Sequence, residues 1–189
     1  MIKNSHTPLP TLVASVTAFF LLMSPVSFAE FPLDHEEITF WSDGSRLRGD
    51  VFKPQDLKPG DTLPGIILVH GWGGNKSNLN RIYAPQFASL GFIVMSFDMR
   101  SWGESDGFFL AEEALPSTKE IGEVSITGQH VRSVVNPNKM IEDVRSALSW
   151  FVGEPHLQAD NIGIWGTSFG GGLALVTAAN DQRIKALVT

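Results

Sequence analysis

The stretch Asn161-Ile-Gly-Ile-Trp-Gly-Thr-Ser-Phe-Gly-Gly-Gly172 reads as an apolar strand, a sharp turn centred on Ser168 and the start of a helix. Gly166, Thr167, Ser168, Phe169 and Gly170 fill the pattern G-x-S-x-G, in which the two glycines let strand and helix close around a strained serine. The strain lifts the hydroxyl clear of the sheet. The free N–H groups and positive dipole end of the following helix would stabilise negative charge developing on a substrate oxygen, which is the chemistry of acyl transfer. The flanks fit the motif. Ile162, Ile164 and Trp165 are strand-like after a polar turn at Gln158-Ala-Asp-Asn161, and Leu173 to Ala179 is a helix-forming run.

Upstream, Gly65-Ile-Ile-Leu-Val-His70 is a solid apolar run of the kind buried on both faces of a parallel sheet. It empties into His70-Gly-Trp-Gly-Gly74, a turn whose backbone N–H groups have little side chain in their way. The next residues, Asn75-Lys-Ser77, approach a phosphate-binding loop, but that pattern needs glycine directly before the lysine and Asn75 stands there. An oxyanion loop, one strand–helix unit or more before the nucleophile, is the better reading. Leu79 to Leu90 is expected to be a helix with Tyr83, Phe87 and Leu90 on one face, its regular part starting near Ala84 because of Pro85. Phe92 to Phe97 is another buried strand, closed by the turn-rich Asp98 to Gly107. Residues 108–137 carry no clear period; Glu123 to Val135 leaves a short edge strand or part of a lid open. From Asn138, Met140, Ile141, Val144, Leu148, Phe151 and Val152 recur at helical spacing, and Ile184 to Thr189 begins a further strand.

Near the start, Glu37 to Trp41 and Arg46 to Phe52 alternate polar and apolar residues across Ser42-Asp-Gly-Ser45, a hairpin pattern. The whole therefore reads as an α/β chain: a doubly wound, mostly parallel sheet with an antiparallel opening hairpin. Residues 1–29 stand apart, with Lys3 as their one charge and an apolar block from Thr11 to Met23. They read as a signal peptide cut after Ala29, or as an uncleaved anchor, with the block short of the roughly 20 residues that span a bilayer. Cleavage would leave residues 30–189 as the domain, secreted or periplasmic and off the membrane.

The 189 residues carry a formal charge of −6, 43% hydrophobic residues and no cysteine. That composition suits one globular core, excludes disulfides and thiolate metal sites, and lacks the basic clusters a nucleic-acid partner requires. No cofactor and no metal are implied.

The order of His70-Gly-Trp-Gly-Gly74, Asp98-Met-Arg-Ser-Trp-Gly-Glu-Ser105 and Gly166-Thr-Ser-Phe-Gly170 resembles the α/β-hydrolase superfamily. With Ser42-Asp-Gly44 and Ser105-Asp-Gly107, it is most similar to the branch of Xaa-Pro dipeptidyl-peptidase-like and dienelactone-hydrolase-like proteins, over about residues 37–189. The resemblance implies Ser168 as nucleophile and the backbone N–H groups of Phe169 and Trp72 as the oxyanion hole. It implies loop support from His70, Gly71, Gly166 and Gly170, with Asp98 and Arg100 also fixing loops, and a small-molecule ester or peptide as substrate. His70 as general base is the lesser reading. The superfamily's acid and histidine follow the serine, yet after Ser168 the one acid is Asp181, at a helix end, and no histidine occurs. The chain thus reads as the amino-terminal part of such a hydrolase, expected to be inactive alone; a non-catalytic binding protein on the same fold is the alternative.

Overall fold

A computed structural model describes residues 32–114 and 122–189; the leader and its cleavage site lie outside the described residues. Strands β1 (Leu33–Ser42) and β2 (Ser45–Pro54) form the opening hairpin, in full antiparallel register from Leu33 opposite Pro54 to Ser42 opposite Ser45. Asp43 and Gly44 turn it at φ 44° and 75°, the paired positive values that match strand twist in a two-residue turn. Then come β3 (Leu63–Val69), helix α1 (Lys76–Ser89), β4 (Ile93–Phe97), the short strands β5 (Phe108–Ala111) and β6 (Gly128–Val131), α2 (Pro137–Phe151), β7 (Leu157–Gly166), α3 (Phe169–Asn180) and β8 (Ile184–Val188). The main sheet has the order β1-β2-β4-β3-β7-β8, parallel from β4 to β8. The antiparallel part extends one pairing past the hairpin, because β2 also runs against β4.

The central strands are buried on both faces, and their period of two divides the core. Ile67, Val69, Ile93, Met95, Phe97, Ile162 and Ile164 pack with Val144, Leu148 and Phe151 of α2 and Leu173 of α3. Leu68 and Val94 point the other way, to Leu79, Ala84 and Ala88 of α1. Trp165 follows them there, its ring tilted by 37° against that of Tyr83 with centroids 4.5 Å apart.

Two sequence expectations are corrected. Helix α1 starts at Lys76, not near Ala84, because Asn75 and Asn78 close a reciprocal capping box that nucleates it a full two turns before Pro85. Its buried face is Leu79, Ala84 and Ala88 with Tyr83 and Phe87 alongside, while Leu90 caps the helix exposed. Second, Gln158 to Asn161 is no turn; it lies within β7, at a shift in its register with β3. In α2, Asp143 and Ala147 take buried positions, leaving Ile141 and Val152 only partly covered. The open segment resolves in part: β5 and β6 pair antiparallel, with Phe109 and Leu110 exposed. At the other side of the sheet, among the described residues β8 pairs with β7 alone, and Val188 is exposed.

Candidate active site

Ser168 sits between the end of β7 and the first residue of α3 at φ 53°, ψ −122°. That ψ lies far from the +30° to +60° of the left-handed helical basin, so the residue holds a conformation costing on the order of 1–3 kcal/mol. The turn cannot relax because the backbones around it are in contact. A Cβ on Gly170 would overlap the carbonyl oxygens of Val69 and His70, and one on Gly166 would overlap Gly170. Thr167 N–H donates to Val69 O at 3.2 Å, which ties the turn to the end of β3. The Ser168 side chain is exposed and makes no capping hydrogen bond to its own helix.

The glycine-rich loop after β3 lies directly against this turn. A Cβ on Gly71 would stand 3.0 Å from Thr167 O, 3.2 Å from Ser168 Cβ and 3.8 Å from its Oγ, closer than side chains ordinarily pack, so glycine suits this approach. Trp72 follows, its ring set edge-on to that of Phe169 with centroids 6.1 Å apart. Among the described residues, neither the Trp72 nor the Phe169 backbone N–H donates a hydrogen bond, whereas Gly170 and Gly171 N–H are used within the turn.

Both ends of the loop are anchored to the residues leaving β4. His70 is 2% exposed; its Nδ1–H donates to Gly71 O at 2.9 Å and its Nε2 accepts from Met99 N–H at 3.3 Å. Burial pushes its pKa below the usual 6.5, against the opposing pull of the Gly71 carbonyl and Asp98, so it is held neutral. With both ring nitrogens occupied it has no lone pair to offer Ser168. At the other end, Asp98 accepts from Lys76 N–H at 2.7 Å and Glu104 N–H at 2.8 Å; burial outweighs these bonds and raises its pKa. Sequence reasoning passed over the Lys76 side chain, an ordinary lysine beside a glycine-rich loop. It is 7% exposed, with Nζ 2.9 Å from both Asp50 on β2 and Glu104. Nothing local marks this, since Asp50 lies far away in sequence.

Arg100 holds a wider frame. Its guanidinium meets the fully buried Asp143 of α2 at 2.6 Å and also donates to Ser42 O and Oγ at the hairpin turn. The other histidines are placed elsewhere: His35 bonds Asp50, His130 accepts from Gly107 N–H, and His156 meets Asp61 O. Asp181 is paired with Arg183 at 2.6 Å. Among the described residues no histidine or acid is hydrogen-bonded to Ser168, and no three His, Asp or Glu side chains group to hold a metal ion.

This topology and these loops have relatives. Residues 43–189 match the family described as X-Pro dipeptidyl-peptidase (S15 family). The chain belongs to that family. The crystal structure of a hypothetical protein from Pseudomonas aeruginosa is similar at TM-score 0.65 and 29% identity, over 84% of this chain and 42% of that one. The α/β hydrolase GrgF from a Penicillium species gives TM-score 0.60 and 26% identity, over 82% of this chain and 44% of that one. Among curated relatives, a thiohydrolase of Aspergillus aculeatus is 27% identical across 82% of this chain and 41% of its own length. The fold of this S15 family member is therefore a partial α/β-hydrolase fold, and the chain spans less than half the length of the curated relatives it matches.

Proposed function

We propose that this S15 family chain carries the nucleophile and oxyanion donors of a serine hydrolase that cleaves esters or amides through an acyl-enzyme on Ser168. One observation carries the reading: an exposed serine hydroxyl on a strained turn, packed against a glycine loop, with the Trp72 and Phe169 N–H groups free on either side. In the proposed reaction Ser168 Oγ adds to the carbonyl carbon while its proton passes to a histidine. The carbonyl oxygen takes the negative charge and is met by the two N–H groups, each worth about 2.7–4 kcal/mol in such sites. Collapse expels the leaving alcohol or amine, which takes that proton, and water then releases the acid by the same route.

His35, His70, His130 and His156 are all engaged elsewhere, so we assign the histidine and its acid to sequence beyond this chain, in keeping with curated relatives of which this chain spans less than half. Named relatives that move acyl groups, a thiohydrolase and an acyltransferase, support the reaction class. The alternative, a binding protein without chemistry, leaves the strain at Ser168 without a use.

The test is a fluorophosphonate probe on the full-length protein. Stoichiometric labelling, mapped to Ser168 and abolished in Ser168→Ala together with several powers of ten in ester turnover, is the expected result. An unlabelled, folded protein would leave the binding reading in place. We further propose export with cleavage after Ala29, to which amino-terminal sequencing of the mature protein gives the answer: Glu30 first if cleaved, Met1 if the leader is an anchor.

A further inference from the structure

Indole rings in this fold are mostly put to use in packing: Trp102 and Trp150 pack against the main core and Trp165 lies under α1. Trp72 differs. It is 70% exposed, flanked by Gly71 and Gly73, and its ring is set edge-on to that of Phe169. Folding leaves most of its apolar surface in water, so the large side chain adds little to the stability of this domain.

Its position is specific. Trp72 directly follows Gly71, whose Cα lies against the Ser168 side chain, and Phe169 directly follows Ser168. An acyl group bonded to Oγ starts next to the backbone that carries both rings, which lie 6.1 Å apart. The nearest charged side chains of the loop are spent elsewhere, Lys76 on Asp50 and Glu104, and Asp98 on backbone N–H groups.

We propose that the Trp72 ring, propped by Phe169, is the wall along which the substrate's acyl chain lies, and that it selects uncharged aliphatic acyl groups of medium length over acetyl. This rests on the reading of Ser168 as the nucleophile. A fully buried methylene is worth about 0.8 kcal/mol, or about fourfold in binding, and a chain touching a ring on one side recovers roughly half of that, about twofold per methylene.

The test has two arms on the full-length protein. In the first, kcat/KM is measured for p-nitrophenyl esters from acetate to octanoate. It should rise about tenfold or more from butanoate to octanoate, flatten to within about threefold in Trp72→Ala, and be largely restored in Trp72→Phe. In the second, binding of ethyl octanoate to Ser168→Ala is followed by calorimetry and should be lost when Trp72→Ala is added. Binding without hydrolysis in the parent protein would keep the wall and remove the acyl-transfer reading. Hydrolysis with an unchanged chain-length profile in a folded Trp72→Ala overturns the wall, as does loss of thermal stability with no change in profile, which would place the ring against another part of the protein.

Discussion

The buried His70 ring accepts the backbone N–H of Met99 through Nε2 at 3.3 Å, so the loop bearing Trp72 is tied to the exit of β4 by a neutral imidazole. Protonation at Nε2 would turn that acceptor into a donor facing a donor. Because burial lowers the folded pKa below the ordinary 6.5, the unfolded chain binds the proton more readily. Stability should therefore fall as pH drops below about 6.5, down to the folded pKa, and be flat in this term above 6.5. Denaturant melts between pH 5 and 8 should show this slope, and His70→Gln, which cannot titrate, should lose it.

Ser168 holds φ 53° and ψ −122°, a conformation that glycine adopts freely. Ser168→Gly should raise stability by about 1 kcal/mol, the relief of strain being partly offset by the entropy of a more flexible unfolded chain. Hydrolysis and probe labelling should vanish together. Thermal denaturation beside the ester assay reads both effects, and a destabilised glycine variant would mean that the turn is not strained.

Gly170 has no room for a side chain, since a Cβ would overlap the backbone carbonyls of Val69 and His70 rather than a side chain able to move aside. Gly170→Ala should cost about 3 kcal/mol or more, at the upper end of overpacking penalties, and push α3 away from β3. Gly172→Ala, which meets nothing within 4 Å, is the matched control and should be neutral or mildly stabilising. Urea midpoints of the two variants give the comparison.

Lys76 bridges the start of α1 to Asp50, which also accepts from His35 and Asn80. Burial opposes the Lys76 charge, but its bonds to Asp50 and Glu104 outweigh it and raise the pKa; burial likewise opposes the Asp50 charge, yet the bonds from Lys76, His35 and Asn80 lower its pKa. The lysine's contribution is thus present below pH 10.5 and lost as pH climbs through its folded value. The aspartate's is present above pH 3.8 and lost as pH falls through its depressed one. Removing one partner leaves a charge buried and unpaired, so Lys76→Met should cost about 3 kcal/mol, and Lys76→Met with Asp50→Leu appreciably less than the sum of the singles. A double-mutant cycle by chemical denaturation measures the difference.

Much of this molecule was legible locally. The hairpin at Asp43-Gly44, the doubly buried strands Ile66 to Val69 and Ile93 to Phe97, and the strand–turn–helix at Ser168 are each written in short-range pattern and turn chemistry. The capping box that starts α1 at Asn75 was written there too, but Pro85 drew the boundary away from it. The pairing of β5 with β6 had no periodic pattern to show it.

The order of elements and the residue types gathered at their loops are written along the chain, because periodicity, capping and glycine placement act over a few residues. Only the tertiary structure decided which distant groups meet: Gly71 against Ser168, His70 with Met99, Lys76 with Asp50, Arg100 with Asp143. Such contacts join residues from 26 to nearly 100 positions apart, and their strength comes from shared burial, a property of the packed sheet and helices rather than of any stretch of chain.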